Sequence, residues 1–373
     1  MKAIVETKNE KNQKIANLQF VLSILIVVIH ANCLFFNLPG EELQYVYGNN
    51  YSTYIQLFFS EGIARIAVPT FFIISGYLFF NTFDGGFKSY GKKLKRRIFS
   101  LLIPYLFWST FTFFAFFFAQ KIPGIGEYFT TRNDAELTFK ILFDNIIISS
   151  YNSPLWYVRY LIVFSVLSIA IYWLVKKVPF VFSIIALVGW MFNFFGLPIN
   201  LGVRWDAIFF YLLGVEIALK PNLMGRLKEI FNRQWVVILV SSIYLAVQLI
   251  RTALFCYKSP TLLLNGEYDP VMHYLGNVGI LLGIFAVWFG YDYIFKSNFN
   301  VKFKEFSFFL FVTHHPVINI LKKLLLKLLG VSPLTSLLVY FLSIALTVTI
   351  IVAIGWVLKR WLKPVFKFIC GGR

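Results

Sequence analysis

Apolar residues run along this chain in blocks of about 20, separated by short polar turns. That is the length a helix needs to cross a hydrocarbon core roughly 30 Å thick. The blocks fall at 17–36, 62–80, 98–119, 155–175, 180–199, 205–219, 235–253, 275–295, 306–326 and 335–357. They predict an all-α, polytopic integral membrane protein with about ten transmembrane helices. No internal repeat, low-complexity linker or soluble stretch interrupts the series, so 1–373 is expected to form a single transmembrane domain.

Composition agrees: 58% of the residues are hydrophobic and 14% charged, against roughly 25% charged in soluble chains. The net charge of +18 points to nucleic acid only if the cations share one folded surface, and here they sit in short loops. Their placement is therefore read as topology, because cytoplasmic loops retain positive charge during insertion. The amino terminus (Lys2, Lys8, Lys11, Lys14), the 81–97 loop, the Lys176–Lys177 turn, the 220–233 loop and the tail with Lys359, Arg360, Lys363 and Lys367 are basic. The loops with Glu41 and Glu42, and with Glu127, Asp134, Glu136 and Asp144, are acidic or mixed. The expectation is a multi-pass protein of the plasma (cytoplasmic) membrane with both termini in the cytoplasm. Lys322, Lys323 and Lys327 run against this pattern near the outer end of the ninth block, where snorkelling toward headgroups is expected. No small-residue cleavage pattern follows the first block, so it is expected to be retained. Cys33, Cys256 and Cys370 form neither a disulfide framework nor a zinc set, and packing is their expected role.

Ionisable groups inside apolar blocks cost about 2.5–3.5 kcal/mol each on insertion scales, so each asks for a partner or a function. His30 closes the first block after Val27, Val28 and Ile29, in the outer half of that helix. Near neutral pH an imidazole can accept a proton from a hydroxyl; a helix-to-helix hydrogen bond is the alternative. Arg65 opens the second block, four residues after Glu61 on one helical face, at the same depth as His30. It can stabilise an oxyanion or hold the Glu61 carboxylate, or serve as an interfacial anchor. Ser75-Gly76 reads as a close-packing site.

Trp156 and Arg159 mark the outer entrance to the fourth block, and Arg204, Trp205 and Asp206 that of the sixth. Interfacial aromatics usually anchor in the headgroup belt, while rings beside Arg and Asp also make a sugar-binding rim. His314 and His315 are adjacent in the ninth block and point about 100° apart on a helix, so only one is expected to face a given site. No carboxylate or cysteine stands at ligand spacing beside them, so no metal is expected. Lys92, Lys93, Lys95, Arg96 and Arg97 crowd the mouth of the third block; they suit lipid headgroups and equally the phosphates of a nucleotide-bearing acyl donor.

Five segments in order, Val27-Val-Ile-His30, Arg65-Ile-Ala-Val-Pro-Thr-Phe-Phe-Ile-Ile-Ser-Gly-Tyr77, Lys95-Arg-Arg-Ile-Phe-Ser-Leu-Leu-Ile-Pro-Tyr105, Pro154-Leu-Trp-Tyr157 and Phe308-Phe-Leu-Phe-Val-Thr-His314, resemble the acyltransferase-3 family over nearly the whole chain. The resemblance implies a membrane acyltransferase that moves an acyl group, usually acetyl, from cytoplasmic acyl-coenzyme A to a hydroxyl of a surface polysaccharide, lipid-linked precursor, peptidoglycan or small glycan. It assigns His30, Arg65 and His314 to catalysis, and Lys93, Arg96 and Arg97 to the donor. The polar positions Glu61, Trp156, Arg159 and Asp206 are expected at the saccharide. Two positions depart from the family: Gln19 stands where relatives commonly have arginine, and Ser100 where a basic residue is frequent. The chain ends at Arg373, soon after its last block, as in stand-alone members.

Expected partners are acetyl-coenzyme A as co-substrate with no permanently bound cofactor, a saccharide or lipid-linked glycan acceptor, and membrane lipids; no nucleic acid is expected, and homo-oligomerisation stays open. The rival function is a multispan transporter or flippase of lipid-linked saccharides, which also needs polar groups at membrane depth. Against it, the sequence has no paired halves with matching Gly/Pro-interrupted helices.

Overall fold

A computed structural model describes residues 8–36, 44–124, 126, 137–192, 204–258, 269–295 and 300–372. A chain in lipid must satisfy its backbone internally, which leaves helices as the element of an open apolar chain. The structure follows that constraint: α1 (Lys8–His30), α2 (Tyr51–Phe80), α3 (Phe87–Ala119), α4 (Ser153–Val166), α5 (Ser168–Lys177), α6 (Val181–Phe192), α7 (Trp205–Leu219), α8 (Pro221–Phe231), α9 (Gln234–Tyr257), α10 (Pro270–Ile294), α11 (Lys304–Leu329), α12 (Pro333–Trp361) and α13 (Lys363–Ile369). A two-stranded antiparallel ladder pairs β1 (Phe35–Phe36) with β2 (Gln44–Tyr45), Phe35 opposite Tyr45.

Every apolar block falls on helix over most of its described length; the fourth is split between α4 and α5, 31–36 of the first lie beyond α1, and 193–199 of the fifth lie outside the described residues. Among the described residues seven helices, α1, α2, α3, α9, α10, α11 and α12, are long and apolar enough to cross a membrane. The count reaches nine if each of two bent pairs is one span: α4 with α5, bent by 68°, and α7 with α8, bent by 99°. The second bend sits where Lys220 leaves helical geometry ahead of Pro221, a residue that suits a helix start and not an interior. Helix ends also shift from expectation for local reasons. The first helix stops at His30 and not near 36, because the Asn32 side-chain oxygen accepts from the Leu34 amide at 2.9 Å and turns the chain. The second begins at Tyr51, where Asn50 caps it by accepting from the Thr53 amide at 3.0 Å.

The helices form two compact units. One gathers Met1–Ile29, Leu57–Tyr90 and Ser168–Ser307. Within it α2 and α7 cross closely, and a Cβ added at Gly76 would overlap the Tyr211 carbonyl while one at Gly214 would overlap the Ile73 carbonyl. Small residues at both positions let the backbones touch, which is how apolar helices gain packing energy in lipid. Lys14, buried in this unit, sits 2.7 Å from Asp292 and over the Trp288 ring. Gln19 contributes its backbone carbonyl, which accepts from Ser23 and Ser307 hydroxyls, each at 2.9 Å.

The other unit gathers His30–Gln56, Gly91–Leu167 and Phe308–Arg373. Its interior carries a buried polar hub: the Gln56 amide donates to Ser52 at 3.0 Å and Ser336 at 2.8 Å, its carbonyl oxygen accepts from the Cys33 amide at 2.8 Å, and Ser336 donates to the Cys33 carbonyl at 2.7 Å. Every buried donor in such a hub needs its partner, so the hub fixes how the loop after α1 meets α2 and α12.

The glycine crossing is testable. Gly76→Ala and Gly214→Ala are each expected to destabilise the detergent-solubilised protein by about 1–3 kcal/mol through overpacking, read as a lower unfolding temperature. Gly225→Ala, whose added Cβ meets nothing within 4 Å, is expected to leave that temperature unchanged.

Candidate functional site

Three imidazoles meet where α1 ends. The ring of His30 lies 5.3 Å from that of His314 and 5.0 Å from that of His315, centroid to centroid. The two neighbouring histidines of α11 point apart, and of the two it is His315 that lines the cavity described below. Their Cα positions diverge, but a ring entering from another helix contacts both at once.

His314 is fully buried, and its Nδ1 faces two main-chain carbonyls, Phe311 at 2.7 Å and Leu310 at 3.2 Å. A carbonyl only accepts, so Nδ1 carries the proton and Nε2 presents a lone pair. That Nε2 is buried with no hydrogen-bond partner among the described residues. His315 sits 3.3 Å from the Asn319 amide and, unlike His314, lines a cavity. The cluster does not read as a metal centre: among the described residues, no group of three or more His, Cys, Asp or Glu side chains is arranged to hold an ion.

Lys322 holds the end of α1 in place. Its ammonium donates to the His30 carbonyl at 2.7 Å and the Asn32 carbonyl at 3.1 Å, orphan acceptors at a helix terminus where a cation is electrostatically favoured. The lysines that ran against the charge pattern therefore do not simply snorkel. Lys322, Lys323 and Lys327 all line the cavity.

The cavity measures about 1250 Å³ and belongs wholly to the second unit. Trp156 and Arg159 from the start of α4 line it, with Asn32, Phe35 and Phe36 after α1, and Tyr105, Phe116 and Gln120 along α3. Asn152, just before α4, is buried and donates to the Val312 carbonyl at 2.6 Å, which ties the entrance of α4 to the histidine-bearing turn of α11.

Lys93, Arg96 and Arg97 lie on the first turns of α3, a stretch with no buried residue. Arg97 and Gln120 are separated by most of α3, roughly 35 Å at 1.5 Å per residue. The cavity wall begins at Tyr105, about two turns after Arg97, and continues to Gln120 at the far end of the helix.

Glu61, Arg65 and Asp206 belong to the first unit. Arg65 donates through Nε to Glu61 at 3.0 Å, across a π-helical turn (Phe58–Gly62) followed by a 3-10 turn (Ile63–Ile66). Arg251 of α9 also donates there, to the Glu61 carbonyl and, at 3.3 Å, to the Met272 carbonyl. Asp206 pairs with Arg204 at 2.9 Å. Departures to π-helix recur at functional sites, and neither that turn nor Arg251 was evident from apolar periodicity. Lys322 did leave a sequence signal, its position against the charge rule.

Comparison with known proteins gives the site its class, a membrane acyltransferase. The chain belongs to the acyltransferase-3 family, whose profile, described as "Acyltransferase domain", matches residues 12–356. It is also similar to the succinoglycan biosynthesis protein ExoH of Rhizobium meliloti (strain 1021), with 22% identity over 365 residues that cover 96% of this chain and 93% of that protein. No solved structure matches it.

Cys33, beside the cluster and buried, has its thiol pushed up to about 11 by burial, against an opposing pull from Lys322. A raised thiol pKa means the reactive thiolate is scarce at neutral pH. Cys33 is therefore expected to resist maleimide in the folded protein at pH 8 and to label after denaturation, as read by peptide mass spectrometry.

Proposed function

We propose that the protein is an O-acyltransferase that takes an acyl group, acetyl in the simplest case, from cytoplasmic acyl-coenzyme A and places it on a hydroxyl of a surface or lipid-linked saccharide. The observation that carries this reading is the His30–His314 contact, in which a buried imidazole with a fixed tautomer offers an open lone pair beside a second imidazole, and that second ring also touches His315 on the wall of a large cavity. The saccharide part of the reading is supported by the similarity to a protein of succinoglycan biosynthesis and by Trp156 and Arg159 on the cavity wall.

In this mechanism His30 is the general base. It takes the proton of the acceptor hydroxyl as the oxygen forms a bond to the acyl carbon. The His314 Nε2 lone pair accepts the N–H of the charged His30, the part a carboxylate plays in a hydrolytic triad. Negative charge on the former carbonyl oxygen is offset by nearby cations. The C–S bond then breaks, and the thiolate leaves with the proton from His30 as free coenzyme A.

Lys93, Arg96 and Arg97 bind the donor phosphates, with the arginines giving paired contacts. With the amino terminus in the cytoplasm, that segment faces the cytoplasm and the cavity faces the opposite side of the plasma membrane. Donor and acceptor then approach from opposite ends of α3.

Acetyl-coenzyme A titrated into the purified protein in lipid nanodiscs is expected to bind saturably. Lys93→Gln, Arg96→Gln and Arg97→Gln combined are expected to weaken it by at least tenfold. Unchanged affinity in the triple variant removes the donor site from this account, and no binding to the parent protein removes the coenzyme A dependence.

A further inference from the structure

Of the three imidazoles in the cluster, His315 is the one on the cavity wall, and it has no part in the proton transfer between the hydroxyl, His30 and His314. Asn319, one turn further along α11 and on the same wall, donates through Nδ2 to the His315 Nε2 at 3.3 Å. An amide nitrogen only donates, so that ring nitrogen accepts and the ring proton sits on Nδ1. A second proton on Nε2 would point at the amide N–H, so Asn319 also favours the neutral ring. The two neighbours on α11 are thus complementary. His314 has its N–H engaged by carbonyls and its lone pair open, whereas His315 has its lone pair engaged by Asn319 and its N–H open.

Position gives that N–H a use. The His315 and His30 rings meet edge to face, with centroids 5.0 Å apart and planes at 85°. A general base lies within about 3 Å of the hydroxyl it deprotonates, and the carbon that this hydroxyl attacks lies about as close to the oxygen. The carbonyl oxygen of the acyl group therefore falls within a few ångströms of the base, and His315 is the ring beside that base on the cavity wall. During attack a C=O electron pair moves onto that oxygen. A donor already in place stabilises charge that exists only near the transition state, and a neutral imidazole can do so without giving up its proton.

We infer that His315 is a further catalytic residue, whose Nδ1–H donates to the carbonyl oxygen of the acyl group while the acceptor oxygen bonds to the acyl carbon and His30 takes the hydroxyl proton. No proton leaves His315. When the C=O bond re-forms, the C–S bond breaks and the thiolate departs with the proton that His30 held, so the ring ends as it began. This role rests on the acyltransferase reading and adds to it the group that meets the acyl carbonyl.

The test compares the full-length parent with two variants that lack the donor, His315→Leu and His315→Phe, and with His315→Asn, whose amide N–H can stand close to the place of Nδ1. All are assayed in membranes matched for protein amount, with labelled acetyl-coenzyme A as donor and the surface glycans of those membranes as acceptor. Whichever donor-less variant keeps the parental unfolding temperature is expected to form ester about 10²- to 10³-fold more slowly at saturating acetyl-coenzyme A. Its half-saturating acetyl-coenzyme A concentration is expected within twofold of the parent's, since the lost contact belongs to the transition state. His315→Asn is expected to recover at least tenfold of the lost rate, which a merely structural role for the ring would not give. A parental rate in the folded donor-less variant overturns the inference. So does a raised half-saturating concentration with an unchanged saturated rate, which makes His315 a binding contact only, and so does a His315→Asn as slow as the donor-less variant. A parent that forms no ester strikes the acyltransferase reading itself and this role with it, whereas an active parent with an equally active His315→Leu strikes His315 alone.

Discussion

The ammonium group of Lys322, fastened to the last carbonyls of α1, is the interaction on which the proposed site depends. A lysine in an apolar helix costs about 2.5–3.5 kcal/mol, and a hydrogen bond from a charged donor returns about 1.5–3 kcal/mol. Two such bonds, to His30 and Asn32, therefore cover the cost of placing the charge. They also tie the His30 and Asn32 carbonyls to α11, the helix whose His314 and His315 rings contact His30. Replacing the lysine with an apolar residue would save the insertion cost and lose the position of the histidine.

The surrounding structure reinforces that placement from several sides. Asn32 turns the chain immediately after His30, Gln56 locks the next residues to α2 and α12, and Asn152 binds the Val312 carbonyl, two residues before His314. Each is a polar side chain satisfying main-chain groups that helix ends and loops leave open, and lipid would not satisfy them. The polar interior and the reactive cluster are therefore one network. The basic start of α3 is an exposed stretch of the helix whose later turns, from Tyr105 to Gln120, wall the cavity.

Much of the fold was legible because apolar block length is dictated by bilayer thickness, and every block falls mainly on helix. The number of crossings was less so. The sharp bends near Leu167 and Lys220 divide helices in ways that hydropathy averages over, although Pro221 marked the second. Of the site, His30 and His314 stood out because an ionisable group in an apolar run is costly. Trp156 and Arg159 stood out as an aromatic–cation pair at a helix entrance, and the structure places both on the cavity. The contact of His315 with His30 was hidden, since helical spacing describes where Cα atoms point and not what a long side chain from another helix can bridge. Lys322 was visible only as an anomaly of charge, and Arg251 gave no local signal because its partners are backbone carbonyls distant in sequence. Glu61, Arg65 and Asp206 form local ion pairs in the other unit, an alternative their spacing had allowed for Arg65 and Glu61.

The central claim is that His30 moves the proton in acyl transfer. Membranes bearing His30→Gln, matched to the parent for protein amount and unfolding temperature, should be given labelled acetyl-coenzyme A, and ester formation on surface glycans should be followed by mass spectrometry. Loss of a general base costs about 10²- to 10⁴-fold, so the account predicts at least a hundredfold fall in the rate of ester formation. Ester formation at the parental rate in the folded His30→Gln protein would contradict it.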